Sequence, residues 1–71
     1  MDPKACLDLA ERQIDYLDHS DPTEEQAENA FNTTAKALSD YMDWRNNGGF
    51  EPENGDKRCA DLVKQLGEFI F

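Results

Sequence analysis

Cysteine and histidine are scarce in this chain, which has two cysteines and one histidine among 71 residues. The sequence therefore indicates neither a disulfide framework nor a zinc site of the CxxC type, and we expect no cofactor. Chains shorter than about 80 residues make up for a small core with cross-links, metals, well-packed helices or self-association. Helix packing and self-association are the two sources of stability that this composition favours.

Basic residues are also scarce, because 7 Lys and Arg stand against 16 Asp and Glu, a formal net charge of −9. Residues 1–28 hold nine of the acids and only Lys4 and Arg12, while the remainder is nearly balanced. Binding to nucleic acids or to anionic membranes depends on Lys and Arg, which displace counterions. The charge therefore argues against direct nucleic-acid or membrane binding and favours a basic protein partner.

The chain has no long hydrophobic run, and nothing in it approaches the roughly 20 apolar residues that span a bilayer. Its first residues, Met-Asp-Pro-Lys, do not form the apolar stretch of a signal peptide. We therefore expect a cytoplasmic protein with reduced thiols.

Apolar residues recur at the spacing of helices, and no segment alternates in the manner of a strand. The pattern predicts an all-α fold, with residues 1–71 forming a single small domain of three helices. We expect the helices over about 3–18, 22–46 and 56–69, with the central helix the longest.

Start signals precede the first two helices. Asp2 is expected to cap the first helix, with Pro3 in its first turn, where a missing N–H costs nothing. The second helix repeats this arrangement with Asp21 as the cap, Pro22 in the first turn and Glu24 in a position that resembles a capping box. The sequence Asn-Asn-Gly-Gly predicts its end, because Asn and Gly tolerate left-handed backbone.

Each predicted helix has an apolar face that we expect to form the core. The residues predicted to face inward are Cys6, Ala10, Ile14 and Leu17 in the first helix, flanked by Leu7, Leu9 and Tyr16, then Ala27, Ala30, Phe31, Thr34, Ala37, Leu38, Tyr41, Met42 and Trp44 in the second, and Cys59, Leu62, Val63, Leu66, Phe69 and Ile70 in the third.

The long central helix has a wide apolar face that two shorter helices cover only in part. This mismatch predicts a homodimer or a larger homo-oligomer. The alternative is that the two shorter helices pack side by side along the central helix and leave none of its apolar face exposed.

Acidic residues recur at spacings of three and four along the outer face of the first helix and continue into the second. We call this set the acidic stripe, and it is a candidate surface for docking on a basic protein in the manner of a nucleic-acid mimic. The alternative is an ordinary solvated face that keeps a small protein soluble. The stripe consists of Asp8, Glu11, Asp15, Asp18, Asp21, Glu24, Glu25 and Glu28.

The end of the second helix and the residues after it form a second candidate site, for a small ligand or a partner loop. Its residues of interest are Trp44, Arg45, Asn47 and Phe50. Trp and Arg are enriched at binding hot spots. The alternative is that Phe50 folds back to close the bottom of the core, with the glycines serving only to end the helix.

The remaining reactive residues favour structural roles. Cys6 and Cys59 lie on inward faces, where they are expected to act as buried apolar side chains, although pairing in an oxidising compartment stays open. His19 lies between two helices with Asp18 and Asp21 nearby, and we expect a surface or capping residue there, with no metal bound.

The sequence contains neither a cofactor motif nor a nucleophile with a plausible base beside it, so we expect no enzyme. The first hypothesis is a small acidic binding or inhibitory module that docks on a basic protein, comparable by analogy with phage-type inhibitors. The alternatives are an oligomer that binds or sequesters a small ligand through the Trp44–Phe50 segment, and a structural subunit of a larger assembly.

Overall fold

A computed structural model describes residues 2–68 of the chain. Within that range the protein forms three α-helices and no strand, which confirms the predicted all-α fold class. The helices are α1 (Pro3–His19), α2 (Glu24–Asn46) and α3 (Gly55–Glu68). The predicted end of the third helix at residue 69, with Phe69 and Ile70, lies outside the described residues.

Asp2 caps α1 as predicted. Its Oδ1 atom accepts hydrogen bonds from the backbone N–H groups of Lys4, at 3.0 Å, and Ala5, at 3.3 Å. Pro3 occupies the first position of the helix, where its fixed φ and missing N–H are tolerated.

The N-terminus of α2 differs from the prediction, because Thr23 and not Asp21 is the cap. The Thr23 hydroxyl accepts a hydrogen bond from the Gln26 N–H at 3.2 Å, and the Gln26 Oε1 atom accepts one from the Thr23 N–H at 3.0 Å. This capping box satisfies two N–H groups at once. The helix therefore starts at Glu24, two residues later than expected.

At the other end of α2, Asn47 and Gly48 stop the helix as predicted. Gly48 has a φ of +86°, in the left-handed region where a side chain is strained. The Asn47 side chain donates a hydrogen bond from Nδ2 to the backbone oxygen of Asp43 at 2.9 Å. A short loop then leads to α3, which runs antiparallel to α2.

All three helices contribute to one buried core. Its members are Leu7, Ala10 and Ile14 of α1, Ala37, Leu38 and Tyr41 of α2, and Cys59, Leu62 and Leu66 of α3. Burial of apolar surface stabilises the fold by about 25 cal/mol per Å².

Several residues predicted to face inward lie at the edge of this core. Cys6 and Leu17 are only half-buried, because the buried face of α1 is centred on Leu7. Met42 and Val63 are each 44% exposed. The molecule extends over 38 × 18 × 18 Å. No helix within residues 2–68 combines the length and the hydrophobicity that crossing a bilayer requires.

Candidate functional site

The first two acids of the acidic stripe form an ion-pair cluster with a basic residue of the same chain. The Nη2 atom of Arg58, on α3, donates to Asp8 Oδ1 and to Glu11 Oε2, both at 3.0 Å. The hydrogen bonds to Asp8 and then to Glu11 raise the pKa of Arg58. Asp8 and Glu11 therefore join α1 to α3 and have a basic partner in their own chain.

The other acids of the stripe flank the turn between α1 and α2. We call them the acidic end: Asp15, Asp18, Asp21, Glu24, Glu25 and Glu28, all of which are exposed. Within residues 2–68 their one close contact with a basic side chain joins Asp18 Oδ2 to Nδ1 of the exposed His19, at 3.4 Å, and it is an ion pair only when His19 is protonated. No Lys or Arg of the described chain forms an ion pair with the acidic end, in contrast to Asp8 and Glu11.

Glu24 and Glu25 also have a local structural role. They occupy the first turn of α2, where the partial positive charge of the helix N-terminus stabilises carboxylates. Asp18 lies near the C-terminus of α1, where the helix dipole has the opposite sign.

Trp44 and Phe50, in the second candidate site, contact each other. The Trp44 indole donates from Nε1 to the Phe50 backbone oxygen at 3.0 Å, and the two rings meet edge to face with centroids 5.6 Å apart. A Cβ atom at Gly49 would overlap the indole, so only glycine fits there. Phe50 is 66% exposed, which shows that it does not fold back into the core.

Arg45 forms a clamp between α2, the loop and α3. Its Nε and Nη2 atoms donate to the two oxygens of Asp56, at 2.9 and 3.0 Å, and its Nη1 atom donates to the Gly49 backbone oxygen at 2.7 Å. The Glu51 carboxylate lies 3.9 Å from Nη2 and accepts a hydrogen bond from the Asp56 N–H at 3.0 Å. The guanidinium is therefore occupied by partners within the chain.

Tyr41 completes the clamp from inside the core. Its hydroxyl donates to Asp56 Oδ1 at 2.8 Å. Burial, and then the hydrogen bond to Asp56, raise the pKa of Tyr41 to about 12. The hydrogen bonds from Arg45 and then from Tyr41 lower the pKa of Asp56.

Two of the basic–acidic pairings that organise this region could not be predicted from the sequence. Asp56 and Arg58 are partners of residues 11 to 50 positions away, and no local spacing indicates them. The side chains predicted for the second candidate site do lie close together. However, Arg45, Asn47 and the indole N–H of Trp44 donate their hydrogen bonds to backbone oxygens and carboxylates of the same chain.

Comparison with protein-family models, with curated proteins and with solved structures finds no match for this chain.

The two cysteines are free thiols, Cys59 buried and Cys6 half-buried. Burial is the main cause that raises the pKa of each, which disfavours the reactive thiolate. Among residues 2–68 no cluster of three or more His, Cys, Asp or Glu side chains has the arrangement to hold a metal ion.

A shallow groove lies between α2 and α3, and α1 contributes no residue to it. We call it the α2–α3 groove; its volume is about 500 Å³, and its lining includes Met42, Cys59, Ala60 and Val63. Met42 and Val63, which were predicted to lie in the core, give the groove an exposed apolar surface.

Proposed function

We propose that this chain is a binding module that docks on a basic surface of another protein and inhibits that protein by occupying the surface. The observation that carries the proposal is the acidic end, whose exposed carboxylates have no Lys or Arg partner among the described residues. A basic partner would supply the Lys and Arg side chains that these carboxylates lack within the described residues.

Electrostatics favours this mode of action. Charges of one sign collected at one end of a molecule 38 Å long steer a basic partner toward that end. Because such steering is screened over a Debye length of about 8 Å at physiological salt, association is expected to slow as salt is added. The same field repels nucleic acids and anionic membranes, so neither is part of the proposal.

The proposal includes binding without catalysis, in the cytoplasm. The polar atoms of Arg45 and Trp44 form hydrogen bonds within the chain, so the Trp44–Phe50 segment has few free hydrogen-bond donors for a small ligand. We also propose that the chain self-associates, because Met42 and Val63 remain exposed beside each other in the α2–α3 groove.

The test compares two pairs of substitutions in α1 that each remove two negative charges. Asp15→Asn with Asp18→Asn alters the acidic end, whereas Asp8→Asn with Glu11→Gln alters the acids already paired with Arg58. Tagged full-length proteins are used for affinity capture from cells of the source organism at low and at high salt, and recovered proteins are quantified by mass spectrometry.

We expect wild type and the Asp8/Glu11 variant to capture the same basic protein at low salt, and the Asp15/Asp18 variant to lose it. The association rate with that purified protein should fall as salt rises. Capture that is equal for both variants, or an association rate that does not depend on salt, would show that the acidic end is not the docking surface.

A further inference from the structure

The α2–α3 groove continues along a face of α2 that the other two helices cover only in part. Phe31, Ala35 and Met42 recur at spacings of four and seven residues, so they lie on one face of the helix. Phe31 is half-buried and packs against the core, whereas Ala35 and Met42 are exposed. Alanine at the middle of this row lets a second helix approach closely.

The same face of α2 carries acids at its other end. Glu24 precedes Met42 by 18 residues, about five helical turns, and Glu28 follows Glu24 by about one turn. Both carboxylates are exposed. The face is therefore acidic at its N-terminal end, small and apolar in the middle, and apolar beside α3 at its C-terminal end.

Lysines border the groove on the side of α3. Lys57 and Lys64 lie three residues before and four residues after Ala60, which lines the groove, so all three share a face. Both lysines are exposed, and neither forms an ion pair within residues 2–68. Asp56 meets the C-terminal end of α2, which places Lys57 at that end too.

These lysines and the acids of the same face are separated within one molecule. From Glu24 to Met42, 18 residues of helix span about 27 Å. A second copy that packs antiparallel along α2 brings its Glu24 and Glu28 to the lysine-bearing end, and the symmetry repeats the contact at the other end. A parallel arrangement would instead place two acidic ends together.

We propose that the α2–α3 groove binds a second copy of this chain, with the α2 helices antiparallel, Met42 and Val63 covered, and Glu24 and Glu28 of each copy beside Lys57 and Lys64 of the other. A stable interface of standard size covers about 800 Å² of each partner, roughly a sixth of the 4896 Å² surface of this chain. The antiparallel geometry also directs the acidic ends of the two copies away from each other.

This dimer specifies the self-association within the proposed function and does not depend on docking to a basic protein. It engages Glu24 and Glu28 and leaves the other carboxylates of the acidic end for that protein. Asp15 and Asp18 belong to α1, which does not line the groove. Variants in the groove can therefore lose the dimer and still capture a basic partner, which separates failure of one proposal from failure of the other.

The first experiment is sedimentation equilibrium of the full chain over a wide concentration range, for wild type, Val63→Glu and the control Thr33→Glu. Thr33 is exposed and lies half a turn away from the face of Met42, so the control adds the same charge to a different face. We expect wild type and Thr33→Glu to reach twice the monomer mass of 8.1 kDa, and Val63→Glu to remain a monomer with unchanged helical circular dichroism. A monomeric wild type at millimolar concentration, or a dimeric Val63→Glu, overturns the proposal.

A charge exchange tests the antiparallel geometry. One variant carries Lys57→Glu with Lys64→Glu, and the other carries Glu24→Lys with Glu28→Lys. Each alone should dimerise at least about tenfold more weakly, a change of 1.4 kcal/mol or more. An equal mixture should form a heterodimer about as tight as the wild-type dimer, because opposite charges again face each other. A mixture that stays as weak as its components excludes the antiparallel pairing.

Discussion

Asp56 is the residue through which the end of α2 and the start of α3 are joined. Its carboxylate accepts hydrogen bonds from the Tyr41 hydroxyl and from two nitrogens of Arg45. Tyr41 is 1% exposed, whereas Arg45 and Asp56 lie closer to solvent. A neutral buried donor and a half-buried cation therefore both donate to Oδ1 of the same carboxylate.

Protonation of Asp56 at low pH and deprotonation of Tyr41 at high pH both destabilise the fold. The pKa of Asp56 is lowered in the fold, so its contribution to stability is present above the ordinary value of 3.8 and is lost as pH falls through the lower, folded pKa. The pKa of Tyr41 is raised, so its contribution is present below 10 and is lost as pH rises through about 12.

Tyr41→Phe is expected to lower the free energy of unfolding by about 1 kcal/mol at neutral pH, because the hydrogen bond to Asp56 is lost. It should also remove part of the loss of stability that wild type shows between pH 10 and about 12, the pKa of Tyr41 in the fold. Urea unfolding at a series of pH values measures both effects. Tyr16→Phe, which alters the other tyrosine, is the control and should keep the full alkaline loss; identical alkaline curves for the two variants would contradict the assignment to Tyr41.

At the scale of the helix, the start of α2 shows how two local signals compete. Asp21 and Thr23 are both suitable N-cap residues, and each has a polar residue three positions later, Glu24 and Gln26 respectively. The structure uses Thr23, because its hydroxyl and the Gln26 side chain exchange hydrogen bonds with each other's backbone N–H groups. Glu24 and Glu25 then lie in the first turn, where the helix dipole stabilises them.

Thr23→Ala is expected to lower the free energy of unfolding by about 1 kcal/mol, because it removes the cap of α2. Asp21→Ala, an exposed position outside the helix, should change it by no more than about 0.5 kcal/mol. Chemical denaturation of the two variants beside wild type provides the measurement. The reverse order of stability would place the cap at Asp21 after all.

At the scale of the whole molecule, charge is distributed unevenly along the long axis. Arg45 and Arg58 are engaged with carboxylates near one end, and the acidic end lies at the other. A formal net charge of −9 on a molecule 38 Å long opposes the compact state through repulsion.

Salt is therefore expected to stabilise the protein. Raising the ionic strength from about 0.01 M to 0.1 M shortens the Debye length from about 30 Å to 10 Å, which screens the long-range repulsion more than the close ion pairs of Arg45 and Arg58. The melting temperature, followed by circular dichroism, should rise over this range. The variant with Asp15→Asn and Asp18→Asn should show a smaller rise, and a melting temperature that falls with salt would mean that the ion pairs dominate.

Much of the fold follows from local pattern. The periodicity of apolar residues predicts all three helices, Asp2 and Pro3 predict the start of α1, and Gly48 predicts the end of α2. The candidate site was less predictable. Helical spacing identified the carboxylates of the acidic stripe, but it did not show that Arg58 would neutralise two of them from a different helix.

The helices, the net charge and the concentration of acids in residues 1–28 follow from the amino-acid sequence alone, because they depend on composition and on spacings within one turn. The packing of the three helices pairs Asp8 and Glu11 with Arg58 but not Asp15 and Asp18, and it leaves Met42 exposed although this residue lies on an apolar face. The physical reason is that helical periodicity assigns a side chain to a face of its own helix, whereas the packing of distant helices decides what covers that face.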